Sequence, residues 1–83
     1  MTNSILRFTA PWCGPCKTLT AMLDEIELTV PMRVIDIDKE KHLVQEYQVR
    51  GVPTLIKIQD GKVADRLVGA VTKTELENWL STN

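Results

Sequence analysis

Apolar and polar residues recur with two different periods along this chain, and the places where the period changes mark its elements. Ser4–Phe8 (S-I-L-R-F) is a short apolar run that predicts a strand, and Ile5–Phe8 is too apolar for a sheet edge. Thr9–Trp12 is a loop, kept from turning helical early by Pro11. Leu19, Met22, Leu23 and Ile26 then fall at helical spacing. They predict a first helix from about Gly14 to Leu28, with Lys17, Thr20, Asp24 and Glu27 on its polar face. Thr29 and Pro31 break that helix. Met32–Ile37 predicts a second strand in which Val34 and Asp36 share one face. Asp38 is placed to cap a second helix over Lys39–Gln48, with Leu43, Val44 and Tyr47 on its buried side. His42 lies among Glu40, Lys41 and Gln45 and reads as a solvated helix residue.

Arg50–Thr54 is a loop leading into a third strand, Leu55–Ile58. Asp60-Gly61 signals a tight hairpin turn into a fourth strand, Lys62–Val68, with Val63 and Leu67 facing inward and Gly69 closing it. Thr72 followed by Glu75 forms a capping-box pattern. A last helix runs from it to about Leu80 and buries Leu76, Trp79 and Leu80. The order is βαβαββα, after a polar lead-in at Thr2–Ser4. A strand–helix–strand crossover makes the first two strands parallel with right-handed connection, and the last two form an antiparallel hairpin. The class is α/β, one domain over residues 1–83, with a mixed sheet carrying helices on both faces.

A chain of 83 residues buries a modest share of its surface, so its stability is limited. Charged residues make up 25% and apolar residues 43%, the balance of a soluble globular protein. A net charge of -1 leaves no electrostatic footprint for nucleic acid or anionic lipid. No apolar run reaches the length of a membrane span, and Met1–Ile5 has no basic segment leading into an apolar one. These features predict a cytoplasmic protein with no nucleic-acid or membrane partner.

The two cysteines, Cys13 and Cys16, stand in Trp12-Cys13-Gly14-Pro15-Cys16, where the first strand gives way to the first helix. Cys13 falls at the helix N-terminus, where unpaired backbone N–H groups carry partial positive charge and favour a thiolate over a thiol. The thiolate is the nucleophile of disulfide exchange, and Cys16, about one turn on, is placed to attack a mixed disulfide formed at Cys13. Gly14 permits tight backbone geometry, and Pro15 suits a first helical turn. Three other uses compete. A structural disulfide across so short a loop contributes only about 2 kcal/mol in the chain-entropy model. Zinc takes four ligands, and the pair plus His42 supplies three. Haem attachment requires His after Cys16, where Lys17 stands. Redox chemistry in a reducing compartment accounts best for the pair.

These motifs resemble the thioredoxin family. Trp12-Cys13-Gly14-Pro15-Cys16 with Lys17, Asp36-Ile37-Asp38, Val49-Arg50-Gly51-Val52-Pro53-Thr54, the Asp60-Gly61 hairpin and Val68-Gly69-Ala70 match it in order and spacing. The likeness covers essentially the whole chain, without the family's usual first strand and helix. It implies a thioredoxin-like fold: a compact, four-stranded mixed sheet in order 2-1-3-4, flanked by three helices. It implies a cis bond between Val52 and Pro53, which brings that loop beside Cys13 and lets the Val52 backbone pair with an extended substrate. Trp12, Gly14, Pro15, Val52, Pro53 and Gly69 would then position the substrate around the catalytic Cys13 and Cys16. The implied activity is reduction of protein disulfides, that of ribonucleotide reductase among them, as part of electron transport in cell redox homeostasis. A thioredoxin reductase or glutathione would donate electrons to a monomer needing no metal or other cofactor beyond the Cys13–Cys16 disulfide.

Two departures stand out. The family's buried Asp, six residues before the nucleophile, is replaced by Arg7, and its Lys in the neighbouring strand by Val34. Arg7 has two readings. As a cation near Cys16 it would favour that thiolate, though a guanidinium cannot act as a base. As a surface residue it would snorkel outward to bond Asp36. Two alternatives to the thioredoxin reading also stand. The short βαβαββα chain resembles glutaredoxins in size, although Gly14-Pro15 replaces their usual Pro-Tyr. The fold could also serve as a binding module for a partner enzyme, in which case the cysteines would be dispensable.

Overall fold

The computed structural model describes residues 3–82; the lead-in residue Thr2 lies outside them. Its elements are β1 (Asn3–Thr9), α1 (Gly14–Asp24), β2 (Met32–Asp36), α2 (Lys41–Glu46), β3 (Thr54–Gln59), β4 (Lys62–Val68) and α3 (Lys73–Ser81). The sheet order is β2-β1-β3-β4, with β1 parallel to β2 and antiparallel to β3, and β4 antiparallel to β3. The parallel first pair and the hairpin are those read from the sequence, and the strand order is the one the family resemblance implies. The apolar β1 is central, and its side chains alternate between two cores. Ile5 joins Leu55 beneath Leu19 and Leu23 of α1 and Leu76 and Trp79 of α3. Leu6 and Phe8 join Ile35 and Ile56 beneath Leu43, Val44 and Tyr47 on the α2 side. Phe8 meets the Tyr47 ring edge-on at 6.0 Å.

Local signals hold at the hairpin and at α3. Asp60 and Gly61 both have positive φ, 54° and 80°, the twist a two-residue β-hairpin needs. Thr72 Oγ1 accepts the Glu75 N–H and Glu75 Oε1 accepts the Thr72 N–H, each at 3.1 Å, so the capping box is complete. Two contacts then tie α3 to the sheet: Trp79 Nε1 donates to Asp65 Oδ2 at 2.9 Å, and Lys57 Nζ donates to Trp79 O at 2.6 Å.

Several local expectations are corrected. Helix α1 ends at Asp24 rather than near Leu28. The N–H groups of Glu25 and Ile26 turn back to Met22 O and Leu23 O, which tightens the last turn, and Ile26 packs on the core from outside the helix. Helix α2 is shorter than Lys39–Gln48 and has Glu40, not Asp38, at its N-cap, because Asp36 O already receives the N–H groups of Lys39 and Glu40 in a turn. Gln48, at φ 52°, stops its far end. Val34 and Asp36 do share a face by strand alternation, but at this edge strand Val34 is exposed and Ile35, on the other face, is buried. Val63 does not face inward with Leu67. The register shifts between Lys57 and Ile58, so Ala64 is an extra residue on β4 and turns Val63 out while Leu67 stays on the core. Thr20 is half-buried rather than on a solvated face, because it contacts Arg7. His42 is exposed, as expected.

Candidate active site

Strand β1 delivers the chain into the turn that carries both cysteines. The Cys13 N–H donates to Ala10 O at 3.2 Å, closing the turn that leads the backbone into α1. Cys13 is the helix N-cap, with extended backbone, and its Sγ accepts the Cys16 N–H at 3.1 Å. A sulfur thus takes the place that a Ser or Asp oxygen usually fills, and it receives one of the unpaired donors of the first turn. Pro15, within that turn, has no N–H to leave unpaired. Cys13 and Cys16 are joined as a disulfide, with Cα atoms 5.3 Å apart.

The pair is well covered: Cys13 keeps 4% of its surface exposed and Cys16 2%. Ala10 shares this small buried cluster, with Ile37 and Val52 packed against it. Three further segments reach the same place because of the sheet's connectivity. Thr9 pairs with Asp36, Phe8 with Thr54, and Thr54 with Val68. The loops leaving β1, β2 and β4 and the loop entering β3 therefore lie at one end of the sheet.

The β3 entry loop contains a cis Val52–Pro53 bond, as the family resemblance implies. Pro53 is fully buried, and its carbonyl accepts the N–H of Gly69, which has φ 85°. A side chain at Gly69 would meet no steric barrier, but it would be strained at that φ. Thr54 Oγ1 donates to Gly51 O at 2.7 Å and fixes the same loop from the strand side. Trp12 is 66% exposed at the rim, and its Nε1 donates to Asp38 Oδ2 at 2.9 Å. Asp38 is in turn held by its own N–H bonding to Asp36 Oδ1. Sequence reading assigned Asp38 to a helix cap and gave no sign of this bond, which joins residues 26 positions apart.

Shallow grooves flank the disulfide. One of ≈ 430 Å³ runs past Trp12, Ile37, Arg50 and Val52, and one of ≈ 230 Å³ past Pro15, Met22 and Gly69. Trp12, Gly14, Pro15, Val52, Pro53 and Gly69 are thus brought to one end of the molecule with the cysteines. Arg7 reaches α1 instead of Asp36: its Nη1 donates to Thr20 Oγ1 at 2.6 Å. Burial lowers its pKa, and the carboxylate of Asp24 works against that fall. Among the described residues, no group of three or more His, Cys, Asp or Glu side chains is placed to hold a metal ion. No helix there is long and apolar enough to cross a membrane.

The family model described as thioredoxin matches residues 1–82. The chain belongs to the thioredoxin family. A thioredoxin of Mycoplasmoides gallisepticum is 37% identical over 79 residues, spanning 92% of this chain and 79% of that protein. Thioredoxin 1 of Synechococcus elongatus is 38% identical over 80 residues, spanning 92% and 75%. Among solved structures, a mutant thioredoxin from Halobacterium salinarum superposes with a TM-score of 0.85 at 31% identity, covering 94% of this chain and 71% of that one. Family membership, with the Cys13–Cys16 disulfide at a helix N-terminus, makes this chain a thiol–disulfide oxidoreductase that acts on protein disulfides.

Proposed function

We propose that this member of the family is a cytoplasmic protein-disulfide reductase in which Cys13 is the nucleophile and Cys16 the resolving thiol. The supporting observation is the cap at α1, where Cys13 Sγ receives the Cys16 N–H at 3.1 Å. In the dithiol form the same first-turn donors favour an anion on Cys13 rather than on Cys16. The Cys13 thiolate attacks a substrate disulfide, that bond breaks, and one substrate sulfur leaves as thiolate and takes up a proton. Cys16 then gives up its proton and attacks Cys13 Sγ. The Cys13–substrate bond breaks, the second substrate thiolate leaves, and the Cys13–Cys16 disulfide remains. Two electrons pass to the substrate, and the dithiol itself is the only redox group required.

In this reading the substrate chain lies across Trp12, Gly14, Pro15 and Gly69 and pairs with the Val52 backbone ahead of Pro53. The contact of Val52 with the cysteine cluster supports that placement. A thioredoxin reductase returns the electrons to a monomeric protein, glutathione being the alternative donor, and ribonucleotide reductase is among the substrates. The decisive experiment is Cys16→Ser under turnover. The variant accumulates a mixed disulfide at Cys13 when a protein disulfide is supplied; release of product at the parent's rate refutes the assignment. Turnover with each reductant alone identifies the donor.

A further inference from the structure

Arg7 is a cation in an apolar setting. It stands on the central strand between Val34 and Leu55, on the face that Ile5 and Leu55 contribute to the core. Its Nη1 donates to Thr20 Oγ1 at 2.6 Å, and the Thr20 hydroxyl donates to the Cys16 carbonyl at 3.0 Å. Cys16, Thr20 and Asp24 follow one another by a turn on α1, so the guanidinium is tethered under the stripe that begins at the resolving sulfur. Its Nε is covered and has no hydrogen-bond partner. Among the described residues, no carboxylate lies within ion-pair distance of it. An anchor between α1 and the sheet would be served better by an apolar side chain, because a half-buried charge with a covered, unpaired Nε is costly.

We propose that Arg7 is a positioning residue of the redox couple: through Thr20 it holds a fixed positive charge beneath the turn that carries Cys16, and this charge biases the Cys13–Cys16 couple toward the dithiol. The inference rests on the proposed function only in requiring that the pair cycles. The guanidinium stays charged over the whole working range, so it neither gives nor takes a proton. When Cys16 attacks the mixed disulfide, its proton leaves to water or to the departing substrate thiolate, the Cys13–Cys16 bond forms, and the Cys13–substrate bond breaks. Arg7 enters and leaves that step unchanged.

The charged groups facing this region are few. Asp24 lies on α1, Asp36 on the same face of β2, and Lys57 on the same face of β3 with its ammonium turned to the end of α3. Lys17 adjoins Cys16, and Asp38 is bonded to Trp12. A fixed cation favours thiolates and does little for uncharged thiols. Its bias is therefore weak in acid, where both thiols are protonated, and grows as pH rises through their ionisation.

The test is the disulfide-exchange equilibrium against a small dithiol of known potential, at about pH 5 and about pH 9, either side of most thiol ionisation. Arg7→Met is expected to move the equilibrium about tenfold toward the disulfide at the higher pH, about 30 mV, and less than about twofold at the lower. Arg7→Lys, which keeps the charge, restores most of the shift. The thiolate ultraviolet absorbance of reduced Arg7→Met appears at higher pH than in the parent. An equal shift at both pH values makes Arg7 a packing residue, and no shift removes its role; either overturns the proposal. If Arg7→Met does not fold, Thr20→Val releases the tether alone, and an unchanged thiolate titration there overturns it as well. A parent protein that fails to cycle refutes the proposed function instead.

Discussion

Replacing Lys57 with methionine removes a buried cation and keeps most of its volume. Lys57 is 7% exposed, and its Nζ donates to Trp79 O at 2.6 Å, to Thr82 O at 2.8 Å and to Thr82 Oγ1 at 3.2 Å. It also lies 4.4 Å from the centre of the Trp79 ring. These carbonyls belong to the end of α3, where helix C=O groups lack intrahelical partners and the dipole favours positive charge. Two charge-assisted bonds to carbonyls are worth about 3–6 kcal/mol at face value, and the ring contact about 0.5–2 kcal/mol. Against this stands the desolvation of the ammonium, an effective penalty of several kcal/mol that methionine avoids. Trp79 O also keeps the Thr82 hydroxyl, 2.9 Å away, after the substitution. The balance leaves Lys57→Met destabilised by about 1–3 kcal/mol, with Tm falling about 4–8 °C for each kcal/mol in a domain of this size. Urea denaturation monitored by far-ultraviolet circular dichroism measures it, with a lower midpoint and unchanged m. Disulfide reduction well below the midpoint should be unaffected, since Lys57 faces α3 and not the cysteines. A midpoint equal to or above the parent's refutes the reasoning: the end of α3 would then be held by Leu76 and Trp79 packing and the Trp79–Asp65 bond, without help from Lys57.

Asp38→Ala frees the Trp12 indole; KM for protein disulfides is expected to rise a few-fold while stability changes by no more than about 1.5 kcal/mol, both measured on the same preparation. Thr72→Ala removes the cap that accepts the Glu75 N–H; a loss of about 1 kcal/mol is expected, with faster amide exchange confined to the first turn of α3. Lys73 Nζ bonds Glu25 Oε2 at 2.9 Å, which holds the Glu25 carboxyl below its usual range and the Lys73 ammonium above its own. The pair's contribution is present between the two ionisations, is lost in acid as pH falls through the lowered Glu25 value, and is lost in base as pH rises through the raised Lys73 value. Both groups are solvent-exposed, so thermal unfolding of Glu25→Gln should depart only slightly from the parent near neutrality in low salt and merge with it in acid or high salt.

The elements read well from sequence where their causes are local. The two-residue turn at Asp60-Gly61, the box at Thr72 and Glu75, and the apolar run of β1 each depend on a few neighbouring residues, and each appears where expected. The errors share another cause. Ile26 continues a helical period, yet α1 stops at Asp24. An apolar residue at helical spacing can pack on the core from a loop, as Ile26 does. The bulge at Ala64 reverses the face of Val63 and leaves no mark in composition, because it is a property of the pairing with β3. Asp38 has the chemistry of an N-cap, but the Trp12 indole claims its carboxylate from across the fold.

The site was legible to a different depth. Once β1 is parallel to β2 and antiparallel to β3, the ends of β1, β2 and β4 and the start of β3 must fall on one edge of the sheet. Cys13, Asp38, Val52 and Gly69 then gather there although they lie far apart in the chain. Topology and four loops thus place the redox pair beside Val52 and Gly69 without knowledge of any side-chain conformation. Topology does not say how a charge inside that frame is directed. Arg7 had Asp36 available on the same face of the neighbouring strand, and it turns to Thr20 instead. Thr20 read as a solvated polar position because helical periodicity separates buried from exposed and does not separate water from a half-buried guanidinium. The residues that surround the disulfide thus followed from the family resemblance and the strand order it implies, whereas the tie between Arg7 and the Cys16 turn, two hydrogen bonds through one hydroxyl, shows only in the folded structure.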